Sequence, residues 1–236
     1  MTYDQIILDE VDSTMAEAAR RAPGLIAPTW IMARKQTAAR GRRGNAWDNP
    51  AGNFSATLLM KPGCSPQDAA LRSFVAANAL HATCSTIVDP RQLAMKWPND
   101  VLYLGGKVAG ILLESAGKTE KIDWLAIGIG ANLASAPKLD DAKFPPVHLG
   151  GAVDQDGFLN ILAAHFAAEE IRFQTYGFDP VRRDWLQKAA KLGEVITART
   201  TREEITGTFD TVDEAGQLVL LTPKGRVTVP AADVYF

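Results

Sequence analysis

Apolar and polar positions along the chain alternate between a two-residue and a three-to-four-residue rhythm, and the switches mark out the elements. Residues 3–9 (Tyr-Asp-Gln-Ile-Ile-Leu-Asp) read as a short strand, punctuated by Asp12-Ser13-Thr14. Thr14 with Glu17 fits a capping box for a helix of small residues, Met15 to Arg21. That places the Ser13 and Thr14 hydroxyls at a strand-to-helix junction beside free backbone N–H groups, where capping alone would account for them. After Pro23-Gly24, Trp30 to Ala33 reads as a buried strand and Asn53 to Met60 as another. The long connection between them ends in a turn at Asn49-Pro50-Ala51-Gly52.

Ser65-Pro66-Gln67-Asp68 opens a helix whose Leu71, Phe74, Val75, Ala79 and Leu80 recur at helical spacing, so one face packs on a sheet. Leu93 to Trp97 and Val101 to Leu104 read as strands, Gly105-Gly106 as a hairpin turn and Lys107 to Glu114 as the returning strand. Strict alternation sets Lys107, Ala109, Ile111 and Leu113 on one face and Val108, Gly110, Leu112 and Glu114 on the other. Leu125 to Asn132 is a further strand, 135–156 a loop, and 157–175 and 180–191 two helices. From Glu194 onward short β-like runs alternate with turns, which predicts a small barrel or sandwich packed on the main domain. The predicted organisation is one α/β domain, residues 1–192, with a smaller β domain, residues 193–236.

Composition narrows the class. A hydrophobic content of 47% with 22% charged residues is ordinary for a globular protein, and the net charge of -2 argues against a general nucleic-acid coat. The N-terminus has no basic region followed by a long apolar run, and no apolar run is long enough to span a bilayer. Cys64 and Cys84 lack CxxC spacing, and His81, His148 and His165 lack ligand spacing. The expectation is a cytoplasmic protein with no membrane segment and no dedicated metal site.

Two stretches then stand out. Residues 34–47 hold five cations (Arg34, Lys35, Arg40, Arg42, Arg43) and no acid, interleaved with Gly41 and Gly44 and ended by Trp47. Arginine forks with glycines that let the backbone approach suit an anionic ligand, although a solvated basic loop has the same composition. The second stretch, Lys96 to Glu114, carries Trp97-Pro98-Asn99-Asp100, whose amide and carboxylate are candidates for nucleotide or metal contacts. It also carries Gly110, a strand glycine of the kind that marks close approach of a ligand. Gly128-x-Gly130 lacks both the third glycine and the prompt helix of a dinucleotide fold, and no P-loop is present.

Together these stretches resemble the biotin–protein ligase family. The matching residues are Gln36, Arg40-Gly41-Arg42-Arg43-Gly44 and Trp47, then Lys96 to Asp100, Lys107 to Leu112 with Glu114, Asp12-Ser13-Thr14, and Gly128-x-Gly130-x-Asn132. The resemblance covers the whole chain. It implies an α+β fold, a mixed sheet flanked by helices, with a small SH3-like β-barrel at the C-terminus. No helix-turn-helix precedes Tyr3, so the short, non-repressor class is expected.

The implied reaction activates biotin with ATP as biotinyl-5'-AMP, releases pyrophosphate, and transfers biotin to a lysine of a biotin carboxyl carrier domain. By resemblance, Lys107 is the central catalytic cation, and Arg40, Gly41 and Arg42 fold over biotin and the phosphates, with Arg43 also on the nucleotide side. Ser13, Thr14 and Gln36 bond the ureido ring, while Gly110 and Gly128 leave room for the bicycle. Lys96, Asn99 and Asn132 contact ATP, Trp47 shields the site, and Mg²⁺ accompanies the nucleotide. The family's carrier domains dock on a sheet edge, and some members form a homodimer through a similar edge.

Two departures matter: the family's loop usually opens with glycine and carries one more arginine after its last glycine, where this chain has Ala39 and Asn45. Alanine would be strained at 39 if that position needs a positive φ. The alternatives are a lipoate–protein ligase, which shares the catalytic plan, and a nucleic-acid module using 34–47; no DNA partner is expected.

Overall fold

The computed structural model describes residues 3–44, 47–118, 120–137, 144–200, 203–230 and 232–236, without the Arg43 side chain. Seven strands form the large sheet: β1 (Asp4–Val11), β2 (Thr29–Gln36), β3 (Phe54–Met60), β4 (Leu93–Lys96), β5 (Asp100–Tyr103), β6 (Gly106–Gly117) and β7 (Ile122–Ala131). Their order is β1-β2-β3-β7-β6-β5-β4, parallel between β1 and β2 and antiparallel elsewhere. The mixed sheet is therefore as expected.

Alternation along β3 assigns the two faces. Phe54, Ala56, Leu58 and Met60 join the main core, whereas Ser55 and Thr57 turn to the opposite, front face. Helices α2 (Pro66–Ala70), α3 (Arg72–Ser85), α4 (Gln155–Tyr176) and α5 (Phe178–Gln187) accompany the main core, with Phe54 against Phe158 and Phe74 against Trp185. On the front face α1 (Thr14–Arg21) lays Met15 and Ala18 on Ile31, Leu59 and Ala126. A second sheet, β8 (Val195–Arg199), β9 (Glu204–Val212), β10 (Leu218–Thr222), β11 (Gly225–Val229) and β12 (Asp233–Tyr235), has the antiparallel order β11-β10-β9-β8-β12. It is joined to the rest by Trp185 against Phe209 and by Trp97 Nε1 donating to the Gly216 carbonyl at 3.1 Å. Among the described residues no helix is long and apolar enough to cross a membrane.

Several local expectations change. The predicted helix 180–191 runs instead from Phe178 to Gln187, because Gly177, at φ 74°, ends α4 and lets α5 start at once. The hairpin turn is Leu104-Gly105, both at positive φ, as a tight two-residue turn requires. Gly106 is already in β6, and its missing side chain answers a different need: a Cβ there would lie 2.5 Å from the Pro145 carbonyl oxygen.

His81 is buried on α3, and burial, reinforced by Lys188, pulls its pKa down to about 4. A folded-state pKa below the unfolded one means the native state favours the neutral ring. That contribution is complete above the unfolded value near 6.5 and is lost as pH falls toward 4. The melting temperature is expected to drop across this window, and less steeply in His81→Gln, as thermal scans at stepped pH would show.

Candidate active site

A cavity of about 200 Å³ opens on the front face of the large sheet. Two cross-strand rows floor it. One runs Ser55, Gly130, Gly110, Asp100 across β3, β7, β6 and β5, and the next runs Gly128, Leu112, with Thr57 beside Gly128 but off the cavity wall. The glycines take up close approach from above. A Cβ on Gly130 would lie 2.6 Å from the Trp47 indole, and one on Gly128 would lie 2.7 Å from Met15 Sδ. Gly128 and Gly130 are thus packing glycines under two large side chains, with the Trp47 indole lying over the second. Gly130→Ala is expected to lift Trp47 and weaken ligand binding about tenfold. A red-shifted tryptophan emission that is absent in a Trp47→Phe background would report the displacement.

Strict alternation in β6 fails. Val101 pairs with Ala109 but Leu102 pairs with Lys107, so a bulge at Val108 inserts one extra residue. Val108 and Ala109 are both fully buried, while Lys107 and Gly110 come to share the cavity face. A Cβ on Gly110 would sit 3.3 Å from Lys107 Nζ. The bulge is what carries the lysine from the predicted face to the site.

The two ends of the cavity differ in character. At the α1 end, Gln36 Oε1 accepts from Thr14 N at 2.8 Å and from Thr14 Oγ1 at 3.2 Å, and Thr57 Oγ1 donates to Thr14 Oγ1 at 2.9 Å. With its oxygen engaged, Gln36 turns its amide NH₂ elsewhere. Ser13 occupies the N-cap position but makes no capping hydrogen bond, and it lines the cavity. The capping box does not form, because Glu17 pairs with Arg20 and Arg21 at 2.7 and 2.6 Å. This end holds neutral donors and acceptors.

The other end is ionic. Lys107 Nζ lies 2.7 Å from Asp100 and 5.4 Å from the Trp47 ring centroid. Arg42 donates to Asn99 Oδ1 at 3.2 Å and lies 3.9 Å from Asp233 of β12, so the small sheet reaches the cavity wall. Arg40 pairs with Glu114 at 2.9 Å and, with Gly41, lines the same wall.

Some expected residues sit elsewhere. Arg34 and Lys35 belong to β2 and pair with Asp156 and Glu10, both at 2.6 Å, so the cationic run splits between a strand end and the loop. Lys96 is buried away from the cavity wall, 3.7 Å from Asp100 and over the Phe144 ring, and burial lowers its pKa. Asn132 is likewise buried away from the wall, donating to the Val147 carbonyl at 3.0 Å. Lys96 and Asn132, both expected on the nucleotide side, are thus enclosed here by the packing around Asp100, Phe144 and Val147. The Arg43 side chain and Asn45 lie outside the described residues. Ala39 is not among the positive-φ residues, which removes the strain expected there, and its carbonyl accepts from Trp47 N at 3.1 Å to close the loop.

Sequence reasoning missed Ser55, Met15 and Asp233. Alternation along β3 gave a signal for Ser55, whereas nothing local marks Asp233, which tertiary packing delivers.

Comparison with known proteins agrees with this arrangement. A model of the "Biotin/lipoate A/B protein ligase family" matches residues 7–132, and one of the "Biotin protein ligase C terminal domain" matches residues 191–236. A biotin–[acetyl-CoA-carboxylase] ligase of Paracoccus denitrificans is 48% identical over 98% of this chain and 99% of that protein. A bifunctional ligase/repressor BirA of Bacillus subtilis is 29% identical over 97% of this chain and 73% of its own length. In fold, the chain superposes on a biotin protein ligase from Aquifex aeolicus in complex with biotin and ATP, with TM-score 0.79, 24% identity and 98% of each chain covered. The first match takes in all the strands that floor the cavity, and with near full-length similarity it makes this chain a member of the biotin/lipoate A/B protein ligase family.

Proposed function

We propose that the chain is an ATP-dependent biotin–protein ligase, which forms biotinyl-5'-AMP and then biotinylates a lysine of a biotin carboxyl carrier domain. The observation that carries this reading is the polarity of one cavity: neutral hydrogen-bonding groups at Ser13, Thr14 and Gln36, a glycine floor, and the cations Lys107, Arg40 and Arg42 opposite. A ureido ring suits the first end and a carboxylate beside phosphates suits the second. A dithiolane would offer the Gln36 amide NH₂ and the Ser13 hydroxyl no strong partner, and the 48% identical biotin ligase also favours biotin over lipoate. A nucleic-acid surface is disfavoured because Arg34, Lys35 and Arg40 all face acids of this chain.

In the first step a carboxylate oxygen of biotin attacks the α-phosphorus of ATP and pyrophosphate leaves. An anion attacks a polyanion while charge grows on the phosphoryl oxygens, so fixed cations lower the barrier. Lys107 would turn from Asp100 toward that charge, with Lys96 remaining near the Asp100 carboxylate. Arg40 and Arg42 would exchange Glu114 and Asn99 for phosphate oxygens. In the second step the carrier lysine's amine attacks the acyl carbon and AMP leaves. Trp47 over the floor would keep water from the anhydride.

Mg²⁺ would ride on the nucleotide phosphates. The cavity-wall carboxylates, Asp100 and Asp233, both face cations, and among the described residues no three His, Cys, Asp or Glu side chains group as metal ligands. Residues 1–192 would form the catalytic domain and 193–236 the C-terminal one, with the edge strand β1 open to a carrier domain or a second copy. The test is transfer of label: biotin, Mg-ATP and a carrier domain, scored for covalent biotin on the carrier. ATP-dependent transfer is expected, and absence of both transfer and biotin-dependent pyrophosphate exchange would sink the proposal.

A further inference from the structure

Ser55 is 2% exposed, its Oγ has no hydrogen-bond partner among the described residues, and it lines the cavity. A buried hydroxyl without a partner costs roughly 1–3 kcal/mol, so one in the wall of a binding cavity points to a ligand group that completes it. Its place in the sheet says which part of the ligand. Thr57, two residues along β3, bonds Thr14, so Ser55 stands about 7 Å from the neutral end. The Lys107 ammonium stands over Gly110, two strands away along the same row and about 10 Å off. Ser55 therefore faces the uncharged part of a bound acid and is out of reach of its carboxylate and of the phosphates.

On the functional reading above, we propose that Ser55 is a specificity-determining contact whose hydroxyl hydrogen-bonds the ring system of biotin. Because the hydroxyl makes no bond among the described residues, Ser55→Ala separates a binding role from a structural one: the free variant should melt at or slightly above the wild-type temperature.

Calorimetric titration of wild type and Ser55→Ala with biotin in the absence of ATP is the test, together with the KM for ATP in pyrophosphate exchange. Expected are a biotin Kd raised about three- to tenfold and an unchanged KM for ATP. Wild-type binding of biotin with equal affinity in Ser55→Ala, or a loss confined to ATP, would overturn this contact and leave the ligase reading intact. A wild-type protein that binds no biotin would overturn both.

Discussion

Lys107→Ala should lower the rate of biotin-dependent pyrophosphate exchange by about 10²–10³-fold, the usual loss on removing one fixed charge or donor from developing transition-state charge. The lysine is the cation at the junction of the two ends, on the wall shared by Gly110 and Trp47. Its removal should leave the fold intact, since its side chain is partly exposed and Asp100 keeps Lys96 at 3.7 Å. The melting temperature should move by a few degrees at most. Lys107→Arg is not expected to rescue, because the larger guanidinium cannot deliver a compact point charge from the same place close over Gly110. Normal exchange in the alanine variant would remove Lys107 from the catalytic role.

The largest effect on stability is expected at Arg72. Its guanidinium and the Glu170 carboxylate are 5% and 0% exposed and bond at 2.8, 3.0 and 3.1 Å, between α3 and α4. Gln174 donates to the same carboxylate at 2.7 Å, and Phe173 lies 5.0 Å from the guanidinium. Arg72→Ala leaves a buried carboxylate with one neutral donor, which should cost about 3–5 kcal/mol. For a chain of this size that is a fall of roughly 6–20 °C in melting temperature. The double variant Arg72→Met with Glu170→Leu removes both charges and should recover most of the loss, because the pair's attraction largely offsets its own desolvation. A single variant melting within about 2 °C of wild type would show that the pair is dispensable.

How much of this was legible in the sequence depends on the range of the interaction concerned. The strand and helix order followed from apolar period, because each face of β3 or α3 is set by its own residues. Ser13, Thr14, Gln36, Gly110, Gly128 and Lys107 line the cavity, but of these only Gly110 stood out by its own place in a strand; the others were legible through the resemblance, since capping accounted equally well for the hydroxyls. Lys96 and Asn132 matched the same motifs but are held inside by packing that spacing does not reveal. Thr14 passed for a cap because the box is a local pattern, whereas its true partners, Gln36 and Thr57, lie on neighbouring strands. The face of Lys107 was misjudged for a similar reason: a bulge is a property of two strands, and nothing in β6 alone announces it.

That extra residue at Val108 also governs which changes the chain can tolerate. In a regular strand two residues share a face only when an odd number lies between them; two lie between Lys107 and Gly110, and the bulge takes up the extra one. Substitutions at Val108 or Ala109 leave the count alone and alter only volume. Loss of one codon there would leave a single residue between them, so a regular strand would still turn both toward the cavity. A one-residue deletion should therefore be better tolerated at Val108 than further along β6, where it would turn apolar residues out onto the cavity.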